Sequence, residues 1–285
     1  MSEKVKLKGH ESFSLREGWL SKGIYEVKNN QELFSCEDIT DILGVGTNMV
    51  KSIKYWLQAT GLIEESKKGK YQLTQLGELI CFYDPYFEDT FSLYMIYLNL
   101  VSNKDKALIW NIFFNKCNAK TFSKKDLLEQ IKYILDVTDK EYNEKILIDE
   151  INVLIKTFTI DEDKNDTPEN NFTCPLTELK ILKKISKDMY KKEKPDFDKL
   201  SPYVVYYALT KNMQEDYINI EDLLKEDDNI SKMLNLDKSL VNEYLEIFKK
   251  QKLVTINRTA GLNMVYINKK YSLKEIFDLY FRREN

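Results

Sequence analysis

The residues best suited to chemistry lie near the amino terminus. His10 is the only histidine among 285 residues, and Glu11, Arg16 and two serines follow it within six positions. Histidine can exchange protons near neutral pH, and a guanidinium can neutralise charge on a phosphate. His10, Glu11 and Arg16 are therefore candidate catalytic residues, with Glu11 or Glu17 orienting the imidazole. The alternative is that His10 belongs to a buried hydrogen-bonded network that fixes the amino-terminal arm.

A second group of candidates is acidic. Asp84, Glu88 and Asp89 are close in sequence, and nucleases hold Mg²⁺ between two or more carboxylates. The alternative is that Asp84-Pro85 opens a helix, since proline suits the first helical position and acidic side chains suit the first turn. Mg²⁺ is thus expected only if the protein is a nuclease, and no motif indicates another cofactor.

Composition excludes several classes of protein. The net charge is −3 and the pI is about 5.6, which argues against general coating of nucleic acid but allows a local basic patch. The charged first residues do not resemble a signal peptide, and the longest apolar run, 93–101, is too short to span a membrane. The four cysteines are widely spaced, which is typical of reduced thiols. We expect a cytoplasmic protein.

The first 83 residues have the pattern of a DNA-binding domain. Apolar spacing predicts a helix from Ser14 to Gly23 capped by Ser14, a second over Cys36–Leu43, and a third after the turn GVGT. The segment LIEESKKGKYQLT then predicts a β-hairpin with a basic tip, and QLGELICFY predicts another helix. This order is that of a winged helix-turn-helix.

The third helix supplies the candidate DNA contacts. Its buried stripe is Val50, Ile53 and Leu57, so other side chains of the helix should face a major groove or its flanking phosphates. These candidates are Asn48, Lys51 and Tyr55, with Thr47, Lys54 and Gln58 on the flank. Three lysines of the hairpin, Lys67, Lys68 and Lys70, could hold the DNA backbone. The alternative is that all nine are simply solvated.

The rest of the chain divides at a polar, acidic segment. Residues 84–160 form a predicted helical middle region, residues 161–171 a linker, and residues 172–285 a carboxy-terminal domain. That domain predicts a helix over 237–253, two strands around 259–261 and a last helix, the order of a second winged-helix module. Glu243 and Glu246 interrupt its lysines, which favours protein contacts, either with another copy or with a partner subunit. The predicted fold class is mainly α with two short β-hairpins.

Five segments carry a family resemblance: GHESFSLREGWLSKG (9–23), LGVGTNMVKSIKYWLQATGLI (43–63), DPYFED (84–89), ALIWNIFFN (107–115) and NNFTCPLTEL (170–179). Together they resemble a bacterial family of unknown function whose members accompany sulfur-transfer DNA modification genes. The family is similar to the SspB-type component of DNA phosphorothioation systems. The chain departs from the family pattern at Ser14 and Thr47, where proline and lysine are typical, and the second change removes a phosphate contact.

The resemblance implies a protein that acts on double-stranded DNA with sulfur-transfer and ATPase partner proteins. It also implies nicking of DNA to open the site for sulfur insertion, but it assigns no catalytic residue. Two other functions fit the same sequence. One is a winged-helix transcription regulator, and the other is a non-catalytic adaptor that uses its carboxy-terminal module for protein contacts.

Overall fold

The chain folds into two compact units. A computed structural model describes residues 3–160, 173–259 and 263–282. Unit 1 contains Met1–Phe113 and Cys117–Glu193, and unit 2 contains Phe114–Lys116 and Lys194–Asn285. These units divide the chain differently from the predicted domains 1–83, 84–160 and 172–285, because the amino-terminal helices share a core with the helical middle region. The predicted linker lies outside the described residues, which resume at Thr173.

Unit 1 is mainly helical, as the sequence predicts. Its helices are α1 (Trp19–Asn29), α2 (Ile39–Leu43), α3 (Thr47–Ala59), α4 (Gln75–Tyr83), α5 (Thr90–Ser102), α6 (Leu108–Asn115, whose last residues belong to unit 2), α7 (Lys124–Val137) and α8 (Glu144–Phe158). Short 3₁₀ turns occupy Leu33–Ser35 and Pro175–Leu179. Within the described part of the chain, no helix is long and apolar enough to cross a membrane.

Three small sheets are found in the described part of unit 1. Their strands are β1 (Glu3–Lys4), β2 (Ile63–Lys67), β3 (Lys70–Leu73), β4 (Thr121–Ser123), β5 (Lys140–Glu141), β6 (Leu182–Ser186) and β7 (Met189–Lys192). Strands β2 and β3 form the predicted hairpin, β1 runs parallel to β5, and β7 lies between β4 and β6 in an antiparallel sheet. The prediction of only two hairpins is corrected, since adjacent lysines in β6 (Lys183 and Lys184) and in β7 (Lys191 and Lys192) break the apolar–polar alternation of a strand.

Helix α5 forms the centre of unit 1. Its residues from Phe91 to Leu98 are all buried, as are Leu100 and Val101. A helix with apolar side chains on every face must be surrounded by protein, because no face is suited to water. Helix α5 lies against the 3₁₀ turn Pro175–Leu179, and Asn103 just after it bonds to α3. The core therefore joins segments that are far apart in sequence.

Three predicted helix starts differ in the structure. Helix α2 begins at Ile39 and not at Cys36, which ends the preceding 3₁₀ turn. Helix α1 begins at Trp19 after Gly18, whose φ of 77° is left-handed, and Ser14 is not its cap. Helix α5 begins after Asp89, which accepts the Phe91 N–H at 2.7 Å, and Pro85 lies in the preceding loop. Asp89 is thus the cap that a helix N-terminus favours, while the Asp84-Pro85 pair follows the end of α4.

The described residues of unit 2 form five helices and one sheet. The helices are α9 (Pro202–Thr210), α10 (Ile220–Lys225), α11 (Ile230–Met233), α12 (Lys238–Lys250) and α13 (Leu273–Phe281), and the strands are β8 (Tyr217–Asn219), β9 (Val254–Asn257) and β10 (Met264–Ile267). The sheet is antiparallel, with β10 between β8 and β9. The predicted turn at 259–261 falls mostly outside the described residues.

Gly77 marks a tight contact between α4 and the hairpin. A Cβ atom at this position would lie 2.2 Å from the backbone oxygen of Leu62, which cannot swing aside. We expect Gly77→Ala to lower the free energy of unfolding by about 1–3 kcal/mol through overpacking, measured by denaturant titration. Gly46→Ser is the control, because a Cβ there meets no atom within 4 Å and serine suits its helix-capping position. Equal stability of the two variants would contradict the close contact.

Candidate nucleic-acid interface

The first turn of α3 is exposed. It begins after Gly46, whose backbone is extended, and it presents Thr47, Asn48 and Lys51 to solvent. The Lys51 ammonium lies 3.4 Å from Asn48 Oδ1 and 3.7 Å from Glu11 Oε1. A lysine beside an amide side chain at a helix N-terminus can contact a phosphate and a base edge together.

The remainder of α3 is largely covered by the protein. Ser52, Ile53, Trp56 and Leu57 are buried, and Gln58 is half-buried. The predicted orientation of Tyr55 is corrected, because its side chain is only 8% exposed and its hydroxyl donates to Lys106 O at 3.0 Å. Only the amino-terminal part of the helix is therefore open to a large partner.

The covering of Tyr55 comes from two distant segments. On one side, Gly9 lies so close that a Cβ would be 2.4 Å from the tyrosine ring. On the other side is the turn 103–106, in which the Asn103 amide donates to the backbone oxygens of Gln58 and Ala59 at 3.4 and 3.2 Å. Burial raises the pKa of the Tyr55 hydroxyl, which suits it to a structural hydrogen bond.

The hairpin β2–β3 places lysines next to this surface. Lys67 and Lys68 are exposed at its tip, and neither forms an ion pair with any residue that the structure describes. Gly69 has a φ of 79°, and its N–H donates to Glu65 Oε1 at 2.9 Å, which lowers the pKa of that carboxyl. The tip is thus shaped by glycine and an internal hydrogen bond, leaving its two lysines available.

Two other predicted lysines have partners within the protein. Lys70 lies 2.7 Å from Glu32 Oε1 and lowers the pKa of that carboxyl. The Lys54 ammonium lies 4.3 Å from the centre of the Tyr71 ring, a cation–π distance. Both lysines fasten the hairpin to its surroundings, so their removal would also loosen the domain.

Sequence reasoning missed Lys106. It is exposed in the turn that bonds to α3, and its charge contributes with that of Lys54 to the lowered pKa of Glu65. The signal was the polar run Asn-Lys-Asp-Lys between two apolar helices. Lys106 extends the basic surface from α3 towards the hairpin.

His10 lies in an aromatic cage behind this surface. Its ring is fully buried, stacks on Trp56 and meets the edges of Tyr55 and Trp110, with centroids 5.5–6.4 Å apart. The Ser12 N–H donates to Nδ1 at 3.1 Å, so Nδ1 carries no proton in this arrangement. Nε2 faces Glu150 Oε1 at 3.0 Å. A DNA phosphate therefore has no access to this ring.

The partner of His10 was not among the residues considered from sequence. Glu150 lies on α8, 140 residues after His10 in the sequence, and its side chain is buried. Its Oε1 also accepts the backbone N–H of Lys8. One buried carboxylate on α8 thus accepts a hydrogen bond from Lys8 and lies against the His10 ring, whose Nε2 does not reach it with hydrogen-bond geometry. This geometry agrees with the interpretation of His10 as part of a buried network.

The other two candidate catalytic residues lie apart from the imidazole. Glu11 is half-buried and faces Lys51, and Glu17 is exposed, so neither orients the ring. The Arg16 guanidinium lies over the rings of Phe13 and Trp19 at 5.5 and 5.4 Å. The structure therefore does not bring His10, Glu11 and Arg16 together as one catalytic group.

Two of the three candidate metal ligands, Asp84 and Asp89, bind backbone groups. The carboxylate of Asp84 accepts the N–H groups of Glu88 and Asp89 at 2.9 and 3.1 Å, and Asp89 caps α5. Among the residues that the structure describes, no three His, Cys, Asp or Glu side chains form a group able to hold a metal ion. The carboxylates of Asp84 and Asp89 thus hold the loop and the helix start.

The fold is similar to that of solved SspB structures. A structure described as magnesium ion-bound SspB superposes with a TM-score of 0.86 at 18% identity, covering 99% of this chain and 89% of that one. A second SspB crystal structure gives a TM-score of 0.84 at 19% identity with the same coverage. A search of curated protein sequences returns no significant match.

A family assignment follows from the sequence itself. Residues 7–281 match the family described as "Protein of unknown function (DUF4007)". The match spans both compact units, from the arm that carries His10 to the last helix. The chain therefore belongs to the DUF4007 family.

Proposed function

We propose that this protein is the double-stranded-DNA-binding component of a DNA phosphorothioation system. In this proposal residues 19–73 act as a winged helix-turn-helix, with α3 entering the major groove by its first turn and the hairpin as the wing. The observation that carries the proposal is the exposed group Thr47, Asn48 and Lys51 beside a hairpin whose tip presents two exposed lysines. The likeness to SspB supports the connection with phosphorothioation.

The roles of the side chains follow from their chemistry. Lys51, Lys67 and Lys68 contact phosphates, which sets affinity and register without reading sequence. Asn48 can donate to and accept from an adenine edge, so it reads a base. Because only the first turn of α3 is exposed, direct contacts with bases are limited to that turn. Partner proteins that insert sulfur would then act on DNA held by this component.

The test measures duplex binding. We expect Lys51→Ala to weaken binding to a labelled duplex and to lower the slope of log affinity against log salt concentration by about 0.9, the value for one phosphate contact. Lys125→Ala is the control, since Lys125 is also exposed but lies at the start of α7. Unchanged affinity and slope for Lys51→Ala would show that α3 does not touch DNA.

Nicking of DNA is a second candidate function. It is favoured by the magnesium in one of the SspB structures, since magnesium assists many nucleases. A supercoiled plasmid incubated with the protein, with Mg²⁺ and with a chelator instead, separates a nicking enzyme from a non-catalytic adaptor. Formation of open-circular plasmid that depends on Mg²⁺ would support a nicking enzyme. Duplex binding without any cleavage would support a non-catalytic adaptor.

A further inference from the structure

Unit 2 carries a pair of exposed tyrosines on its sheet. Tyr217 on β8 and Tyr266 on β10 stand directly opposite each other, with 50% and 41% of their surfaces exposed. Their ring centres are 6.1 Å apart and their planes differ by 44°. Thr255 on β9 stands opposite Tyr266 on its other side, so one exposed row crosses all three strands.

Beyond this row, the same face of the sheet carries two asparagines on either side of a half-buried methionine. Met264 pairs with Asn219 on one side and Asn257 on the other, which forms a second row parallel to the first. Alternate residues of a strand point to opposite faces, and the alternates Val265 and Ile267 are buried. The hydrophobic core of unit 2 is therefore on the other face, and the tyrosines do not contribute to it.

Lysines surround the tyrosine end of the sheet. Because the strands are antiparallel, the start of β9, the end of β10 and the start of β8 meet at one end. The exposed lysines that precede β9 or follow β10 are Lys249, Lys250, Lys252, Lys269 and Lys270. Three of them form surface ion pairs. Lys249 pairs with Glu246 and Lys269 with Glu275, both at 3.8 Å, and Lys270 pairs with Asp216 at 2.8 Å. Lys250 and Lys252 form no ion pair within the described residues of unit 2.

Hydrogen bonds hold this end of the sheet in place. The Asn268 amide donates to Lys252 O at 3.1 Å, and its Oδ1 accepts the Thr255 hydroxyl at 3.0 Å. These bonds connect the lysine-bearing turn before β9 to the segment after β10. The surface ion pairs are individually weak, so a phosphate can displace them. Glu215 and Asp216 precede Tyr217, so phosphates are favoured on the β9–β10 side.

We propose that this face binds an unpaired nucleic-acid strand. Flat aromatic side chains beside a basic rim are the means by which proteins hold single strands, since every base can stack on a ring and every phosphate attracts a lysine. Neighbouring bases stack on Tyr217 and Tyr266 while the backbone follows Lys252 and Lys250. This site is separate from the duplex contact at α3, and the proposal goes beyond that function.

The test is binding of a labelled single-stranded oligonucleotide to the full chain, followed by fluorescence anisotropy. We expect Tyr217→Ala with Tyr266→Ala to weaken binding at least tenfold, about the effect of losing a stacked base. Phenylalanine at both positions keeps the rings and should restore the affinity. Tyr133→Ala is the control, because Tyr133 is 68% exposed on α7 of unit 1. Melting temperatures confirm that each variant is folded.

Two comparisons make the outcome decisive. An oligonucleotide of equal length with abasic sites keeps the phosphates but lacks bases, so it should bind as weakly as the double alanine variant binds the normal strand. Equal binding of abasic and normal strands, or unchanged binding by the double variant, would overturn the proposal. Loss of self-association or partner binding instead, measured by sedimentation, would identify a protein interface. Lys51→Ala should reduce duplex binding alone, which separates the two sites.

Discussion

The His10→Ala variant is expected to lose about 3–5 kcal/mol of free energy of unfolding, the effect of breaking a buried pair that contains a charge. The substitution leaves the Glu150 carboxylate buried with the Lys8 N–H but without the imidazole. It also empties the space between Tyr55, Trp56 and Trp110, which adds a cavity. Differential scanning calorimetry and denaturant titration measure the loss.

Two further variants isolate the cause. His10→Gln keeps a side-chain N–H that can donate to Glu150, so it should recover part of the lost stability. The double variant with Glu150→Gln should lose less than the sum of the two single losses, because the two side chains interact directly. Any loss of DNA binding by His10→Ala should follow the unfolding of the arm. A stable His10→Ala protein that binds DNA but does not nick it would instead show that His10 is catalytic.

The burial of Tyr55 shows where sequence periodicity stops being informative. Helical spacing places Asn48, Lys51 and Tyr55 on one line, and the pattern of α3 alone gives no reason to separate them. The line is covered from Tyr55 onwards by Gly9 and by the turn that holds Lys106, both distant in sequence. Local pattern predicts the buried stripe of an isolated helix, but it cannot show which polar positions other segments cover.

The same limit applies to the contacts of His10 and of the acidic cluster, which could be predicted only in part. That His10 belongs to a buried network could be anticipated, but its partner Glu150 could not, because 140 residues separate them and α8 shows only an ordinary helical pattern. The helix start predicted at Asp84-Pro85 lies five residues too early, because Asp89 and not Asp84 caps α5. Glu88 N–H and Asp89 N–H both donate to Asp84, a loop structure with no periodic signature.

The combined variant Lys51→Ala, Lys67→Ala and Lys68→Ala is expected to lose at least about a thousandfold in duplex affinity. Each charge-assisted hydrogen bond contributes roughly 1.5–3 kcal/mol, and a tenfold change corresponds to about 1.4 kcal/mol. The salt slope should fall by about 2.7, three times the value for one phosphate. All three side chains are exposed, so the melting temperature should hardly change. Lys54 and Lys70 are left intact because both hold the hairpin.

Sequence preference distinguishes phosphate contacts from base contacts in the same assay. The triple lysine variant should lose affinity equally for every duplex, because phosphates carry no base identity. Asn48→Ala should instead reduce discrimination between preferred and other duplexes by about 1–3 kcal/mol, while its affinity for non-preferred DNA changes little. If Asn48→Ala keeps full discrimination, the first turn of α3 does not read bases. A triple variant that binds duplex DNA as tightly as the original protein would exclude α3 and the hairpin as the duplex-binding surface. The variant lacks all three proposed phosphate contacts, so unchanged affinity would mean that these contacts do not form.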